Sequence, residues 1–135
     1  MKIKLIILNI AKMSILFVLA IFYLSCSSNR PNSLIESFYN YPNPFNNRTT
    51  STTFIVLLKE GEIISATLDI YSHSGDLVDS KSLTITDSNK REATCVWSGL
   101  DKNGKYLPPS LYTSKLTLKD NKDATYIEEF KTLIN

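Results

Sequence analysis

The chain has 135 residues, 43% of them hydrophobic and 21% charged, enough for one domain with a modest core. Fifteen Lys+Arg stand against 13 Asp+Glu, with no basic cluster interleaved with aromatics, which excludes the electrostatic footprint of a nucleic-acid binder. Two cysteines and one histidine exclude a disulfide framework and a Cys/His-rich metal centre.

The first element reads as an export signal. Lys2, Lys4 and Lys12 form a positive start, Ser14 to Leu24 is an apolar run of 11 residues, and Ser25-Cys26-Ser27-Ser28 closes it. A charged n-region, a short apolar h-region and a small residue before the cleavage point mark a secretory signal, and the run falls short of the roughly 20 residues that span a bilayer. With its cysteine behind Ser25, the segment resembles the signal of bacterial lipoproteins, although Tyr23 stands where that signal prefers Leu. The resemblance implies loss of residues 1–25 and a thioether-linked diacylglycerol on Cys26, with palmitate-type chains and an acylated amino group. Ser27 in place of Asp implies, by the same resemblance, sorting to the outer membrane. Each buried methylene contributes about 0.8 kcal/mol to such an anchor. The alternative is an uncleaved helical anchor over residues 3–24, with Lys12 snorkelling. Cleavage would remove three lysines and no acid, leaving 110 residues with 12 Lys+Arg against 13 Asp+Glu. Lipidation of Cys26 leaves Cys95 without a partner, whereas an unlipidated Cys26 could bridge to it.

Residues 26–37 read as a tether, in which Ser27 to Ser33 are all Ser, Asn, Arg or Pro. Such a linker lifts a domain only about 15 Å from a lipid surface. Residues 38–135 read as the domain. Short apolar runs alternate with turn residues and show almost no helical period, which predicts an antiparallel β-sandwich. Strands are expected over Thr52–Leu58, Ile63–Tyr71, Leu77–Thr86, Ala93–Trp97, Leu111–Lys119 and Thr125–Leu133. A seventh is expected either at Ser37–Tyr41 or from a split of Leu77–Thr86. Period two places Ile64, Ala66, Leu68 and Ile70 inward, Ala93, Cys95 and Trp97 on one face, and Tyr112, Leu116 and Leu118 on another. Gly75 serves a turn that needs positive φ.

The residues that carry chemistry are sparse. His73 stands alone in a turn, with no elbow motif to make a nucleophile of a nearby serine. Asp101-Lys102-Asn103-Gly104 begins like a calcium loop, but Tyr112 occupies the place of the bidentate Glu, so a tight turn is the better reading. Glu128 and Glu129 point to opposite faces of one strand. No Gly-rich phosphate loop occurs. The expectation is a protein without catalytic, cofactor-binding or metal-ligating residues.

Four short motifs follow one another: Tyr41-Pro42-Asn43-Pro44-Phe45-Asn46 with Thr49-Thr50; Leu68-Asp69-Ile70-Tyr71 running to Gly75; Trp97-Ser98-Gly99-Leu100-Asp101-Lys102-Asn103-Gly104; and Leu111-Tyr112. Their order and spacing resemble the Ig-like domain of flagellar hook-capping proteins and the C-terminal sorting domains of type IX secretion cargo. Ser98 departs from the family's usual Asp, and Ser110 from its usual Gly. The resemblance implies an Ig-like sandwich of about seven strands. Each motif also has a structural use. Pro42 and Pro44 stiffen the approach to Phe45, Trp97 anchors the core, Gly99 and Gly104 allow close approach and positive φ, Asp101 shapes the turn, and Tyr112 starts a strand with its ring half buried.

The sequence therefore predicts a non-catalytic, lipid-anchored module of the bacterial cell envelope. It would sit on the periplasmic face or cell surface of the outer membrane and bind a protein partner. Candidate surfaces are the loop Asp87–Arg91, the turn Ser72–Asp76 and the edge of the last strand. The alternative is a secreted, type IX sorting-like domain recognised through its C-terminal strand, with Lys131 to Asn135 as the tail that is read.

Overall fold

Alternating side chains give each strand one face to bury, and the chain stacks these faces in two sheets. The computed structural model describes residues 34–135. The expected signal, Cys26 and the tether as far as residue 33 lie outside the described residues. The elements are β1 (Ile35–Tyr41), β2 (Thr52–Leu58), β3 (Ile63–Tyr71), β4 (Leu77–Ser82), β5 (Thr84–Ile85), β6 (Glu92–Trp97), β7 (Ser110–Asp120) and β8 (Thr125–Ile134). One sheet runs β1-β2-β6-β5 and the other β4-β3-β7-β8, with antiparallel pairing throughout. The fold is an all-β, Ig-like antiparallel sandwich.

Eight strands form where about seven were expected, because both options for the seventh are realised. β1 begins at Ile35, inside the stretch read as tether: Ile35 is buried opposite Leu58, and that apolar contact draws the chain into the sheet. The run Leu77–Thr86 divides at Leu83, whose N–H donates to the Ala66 carbonyl at 2.9 Å before the chain crosses from β4 to β5.

The inward set of β3 also needs correction. The register with β7 shifts between Ile63 and Ser65, and this bulge turns Ile63 inward and Ile64 out: Ile63 is fully buried, whereas Ile64 is 56% exposed. One extra residue in a bulge breaks the period of two. Past it, Ala66, Leu68 and Ile70 are buried as expected.

Between the sheets lie Phe54, Val56, Leu58, Leu68, Ile70, Trp97, Leu116 and Leu118, all at most 1% exposed. Phe38 stacks on Phe54 at 6.2 Å and meets Phe130 edge-on at 6.1 Å, which joins β1 to β8 where the two sheets close on one another.

Candidate functional site

The widely spaced motifs of the sequence converge on one end of the sandwich. Phe45 meets Trp97 edge-on at 5.8 Å, and Trp97 meets Tyr112 edge-on at 5.7 Å. All three rings are buried, so the expectation of a half-buried Tyr112 is corrected: its ring is covered by Trp97, and its hydroxyl donates to the Pro108 carbonyl at 2.8 Å. The Trp97 indole N–H donates to the Leu100 carbonyl at 3.1 Å, which satisfies its one polar atom inside the core.

The Pro-Asn-Pro segment is clasped to the last strand. Both Tyr41–Pro42 and Asn43–Pro44 peptide bonds are cis. Asn43 Nδ2 donates to the Lys131 carbonyl and the Leu133 N–H donates to Asn43 Oδ1, both at 2.9 Å. Phe45 continues the contact: its N–H donates to the Leu133 carbonyl at 3.1 Å, and the Asn135 N–H donates to the Phe45 carbonyl at 2.9 Å. The edge of β8 beyond Lys131 is thereby paired.

Asn47 is a structural residue of this end that no local sequence signal marked. Buried, it donates from Nδ2 to the carbonyls of Gly99 at 3.0 Å and Leu107 at 2.8 Å. Gly99 has φ +70, and a Cβ there would stand 2.4 Å from Asn47 Cβ. Its requirement for glycine was the visible signal, while the amide that fills the space gave none. Asp101 shapes the following turn, its Oδ1 accepting from the N–H groups of Asn103 and Lys105 at 2.9 Å. The Lys105 amide, followed by that of Asn103, holds this carboxyl below its ordinary range. Gly104 closes the turn at φ +78, and Gly75 sits at φ +89 in the turn before β4.

The expected surfaces are more constrained than their sequence implied. Asp87 Oδ1 accepts from the N–H groups of Arg91 and Glu92 at 2.7 and 2.8 Å. The Arg91 guanidinium reaches the Lys59 carbonyl at 3.1 Å, so the loop Asp87–Arg91 braces the β2–β3 corner. In the turn Ser72–Asp76, Ser74 donates to Asp76 and the Asp76 N–H to Ser72, while His73 is exposed. Glu129 lies opposite Lys115 on the outer face, whereas Glu128 pairs with buried Leu116, so the two glutamates do occupy opposite faces. Among the described residues, no three His, Cys, Asp or Glu side chains are grouped to hold a metal.

The two outer faces differ in chemistry. On the β4-β3-β7-β8 sheet, Asp69, Lys115 and Glu129 follow one another across the strands, and Lys119 pairs with Asp123 at 2.6 Å. On the β1-β2-β6-β5 sheet, the rows Tyr41–Thr53–Val96 and Tyr39–Ile55–Thr94 carry no charge. Tyr41 is 75% exposed, Val96 55% and Tyr39 42%. Neither this face nor Asn43 and Asn47 was singled out from the sequence.

No family model and no curated protein matches the chain. Among solved structures it is similar to dimeric latent PorU from Porphyromonas gingivalis, with a TM-score of 0.58 and 19% identity over 72% of this chain and 9% of that one. It is also similar to PorZ, an essential surface component of the type IX secretion system of the same organism, with a TM-score of 0.44 and 18% identity over 73% of this chain and 11% of that one. CopC from Methylosinus trichosporium OB3b gives 0.46 and 15% over 62% of this chain and 74% of that one. The chain spans about a tenth of PorU or PorZ. The likeness to PorU is one of fold.

Proposed function

We propose that this chain is a non-catalytic, lipid-anchored Ig-like module of the bacterial cell envelope, held to the outer membrane through Cys26. It binds a protein partner in the envelope through the outer face of the β1-β2-β6-β5 sheet. The observation that carries this reading is the uncharged aromatic and aliphatic surface formed by Tyr39, Tyr41, Ile55 and Val96. Interface centres are depleted in charge and enriched in tyrosine, and a partner with a complementary apolar surface would remove these side chains from water. The charged opposite face serves as the solvated side.

The test is site-specific photo-crosslinking in intact cells. A benzoylphenylalanine at position 41 should give a discrete adduct with a second protein. The same residue at position 117, on the other outer face, should give none, and Val96→Lys should abolish the adduct at 41. Equal adducts at both positions, or none at 41, contradict the reading.

The type IX reading, in which the C-terminal strand is recognised, rests on the order of the four motifs. Its tail also serves the fold: Thr132 and Ile134 are buried, so truncating residues 131–135 would unfold the domain whatever the tail signals. Lys131 and Leu133 are exposed, and Lys131→Ala with Leu133→Ser is the discriminating variant. Unchanged localisation of that folded variant would remove this reading.

A further inference from the structure

A second surface lies at the end where the motifs converge. An open cleft of about 540 Å³ is walled by the turn Asn46–Arg48, the segment Lys105–Pro109 and Asn135, within the size range of ligand sites. Its walls are fixed by bonds already described: Asn47 ties the first wall to the Gly99 and Leu107 carbonyls, and the Tyr112 hydroxyl holds Pro108. Pro108 and Pro109 restrict the backbone further.

The charged side chains of the cleft have one sign. Arg48 and Lys105 line it, and none of the lining residues has an acidic side chain. Neither cation forms an ion pair among the described residues, where the pairs are Lys81–Asp79, Lys90–Glu62 and Lys119–Asp123. Lys105 does act at a distance on Asp101, whose Oδ1 is occupied by two amides. The Arg48 guanidinium carbon stands 4.1 Å from the centre of the Tyr106 ring. A cation–π stack of this kind orients the guanidinium plane and leaves its N–H edge for a planar acceptor.

We propose that this cleft binds an acidic segment of a partner protein, with a side-chain carboxylate on Arg48 and Lys105 and a neighbouring apolar side chain against Leu107, Pro108 and Pro109. A guanidinium fork matches a carboxylate in two parallel hydrogen bonds, and the proline-lined wall suits an apolar peptide side chain. The inference extends the proposed role as an interaction module to a separate surface and does not depend on the outer face of the β1-β2-β6-β5 sheet.

The test is fluorescence anisotropy of a labelled peptide, Gly-Glu-Phe-Glu-Leu-Gly, titrated with the detergent-solubilised protein. Binding should weaken about tenfold in Arg48→Ala, the equivalent of about 1.4 kcal/mol. It should weaken similarly when the peptide's Glu residues become Gln, and stay unchanged in Lys119→Ala on the far face. Arg48→Lys, which keeps the charge without the fork, should fall between. Thermal melts of each variant separate lost binding from lost folding, because Arg48 is exposed. Equal binding of the Gln peptide overturns the proposal. So does Arg48-dependent binding of inorganic phosphate or of an oligogalacturonide with none of the acidic peptide. Either failure leaves the crosslinking result at position 41 standing.

Discussion

Asn43 takes the place of a neighbouring strand for Leu133: its side-chain amide offers an acceptor to the Leu133 N–H and a donor to the Lys131 carbonyl, each at 2.9 Å. A single side chain thus does at the β8 edge what a backbone residue does inside a sheet. The geometry requires both ends of the amide. Asn43→Ala should cost about 1–3 kcal/mol, two hydrogen bonds at roughly 0.5–1.5 each. Asn43→Asp should cost at least as much, because it sets a carboxylate against the Lys131 carbonyl. Urea unfolding of the two variants checks this, and an Asp variant as stable as the parent would contradict it.

Glycine substitutions should separate by what surrounds them. Gly75 and Gly104 have positive φ and open space, so Ala there meets only the backbone penalty of about 1–2 kcal/mol. Gly99→Ala adds a collision with Asn47 Cβ and should lose roughly a further 1–3 kcal/mol. Pairing Gly99→Ala with Asn47→Gly should recover only part of that loss, since the amide that ties Gly99 to Leu107 is then gone. Equal midpoints for Gly99→Ala and Gly104→Ala would refute the close-approach argument.

Trp97 sits between Phe45 and Tyr112, so its truncation opens the largest void available. Trp97→Ala should lose about 3–5 kcal/mol, a large fraction of the roughly 5–15 of a typical domain. Tyr112→Phe, which keeps the ring and drops only the bond to Pro108, should lose about 0.5–1.5. Denaturation midpoints of the two variants measure the difference directly.

Cys95 should be a slow thiol. Burial pushes it from 9.0 up to about 11, with Lys81 pulling the other way and Asp79 adding slightly. At pH 8 the native protein should react with a thiol reagent far more slowly than the urea-unfolded chain. Because the folded value is the higher one, the contribution to stability is complete below pH 9 and is lost as pH rises through about 11. Cys95→Ser should flatten that alkaline decline.

Acid should act through Asp101 and Asp120. Around Asp120, burial alone would raise the carboxyl, but the N–H groups of Ala124 and Lys122 and the Tyr126 hydroxyl outweigh it and hold it low. Asp101 is held low chiefly by the Lys105 amide. A depressed folded value means that the stabilisation is present above the ordinary 3.8 and disappears as pH falls through the folded value. The gap in stability between the parent and Asp120→Asn should therefore narrow steadily below pH 4, as followed by denaturation at a series of pH values.

Much of this fold was legible because its signals are local. β2 and β3 could be bounded from alternation and turn residues alone, and Trp97, Phe45 and Tyr112 could be picked as structural anchors from the motifs they occupy. What escaped depends on distant partners. The bulge that exchanges Ile63 for Ile64 is set by the register with β7. The roles of Asn43 and Asn47 exist only once residues 88 to 90 and 52 to 60 positions further on fold beside them. The two uncharged rows were hidden for the same reason: Tyr41, Thr53 and Val96 form a row only when three strands are laid in register.

The most direct test of the proposed anchored module is the intact mass of the native protein extracted from membranes with detergent. A single species comprising residues 26–135 with a diacylglycerol and a further acyl chain on Cys26 is expected. A lipid-free form, or a chain still beginning at Met1, would contradict it.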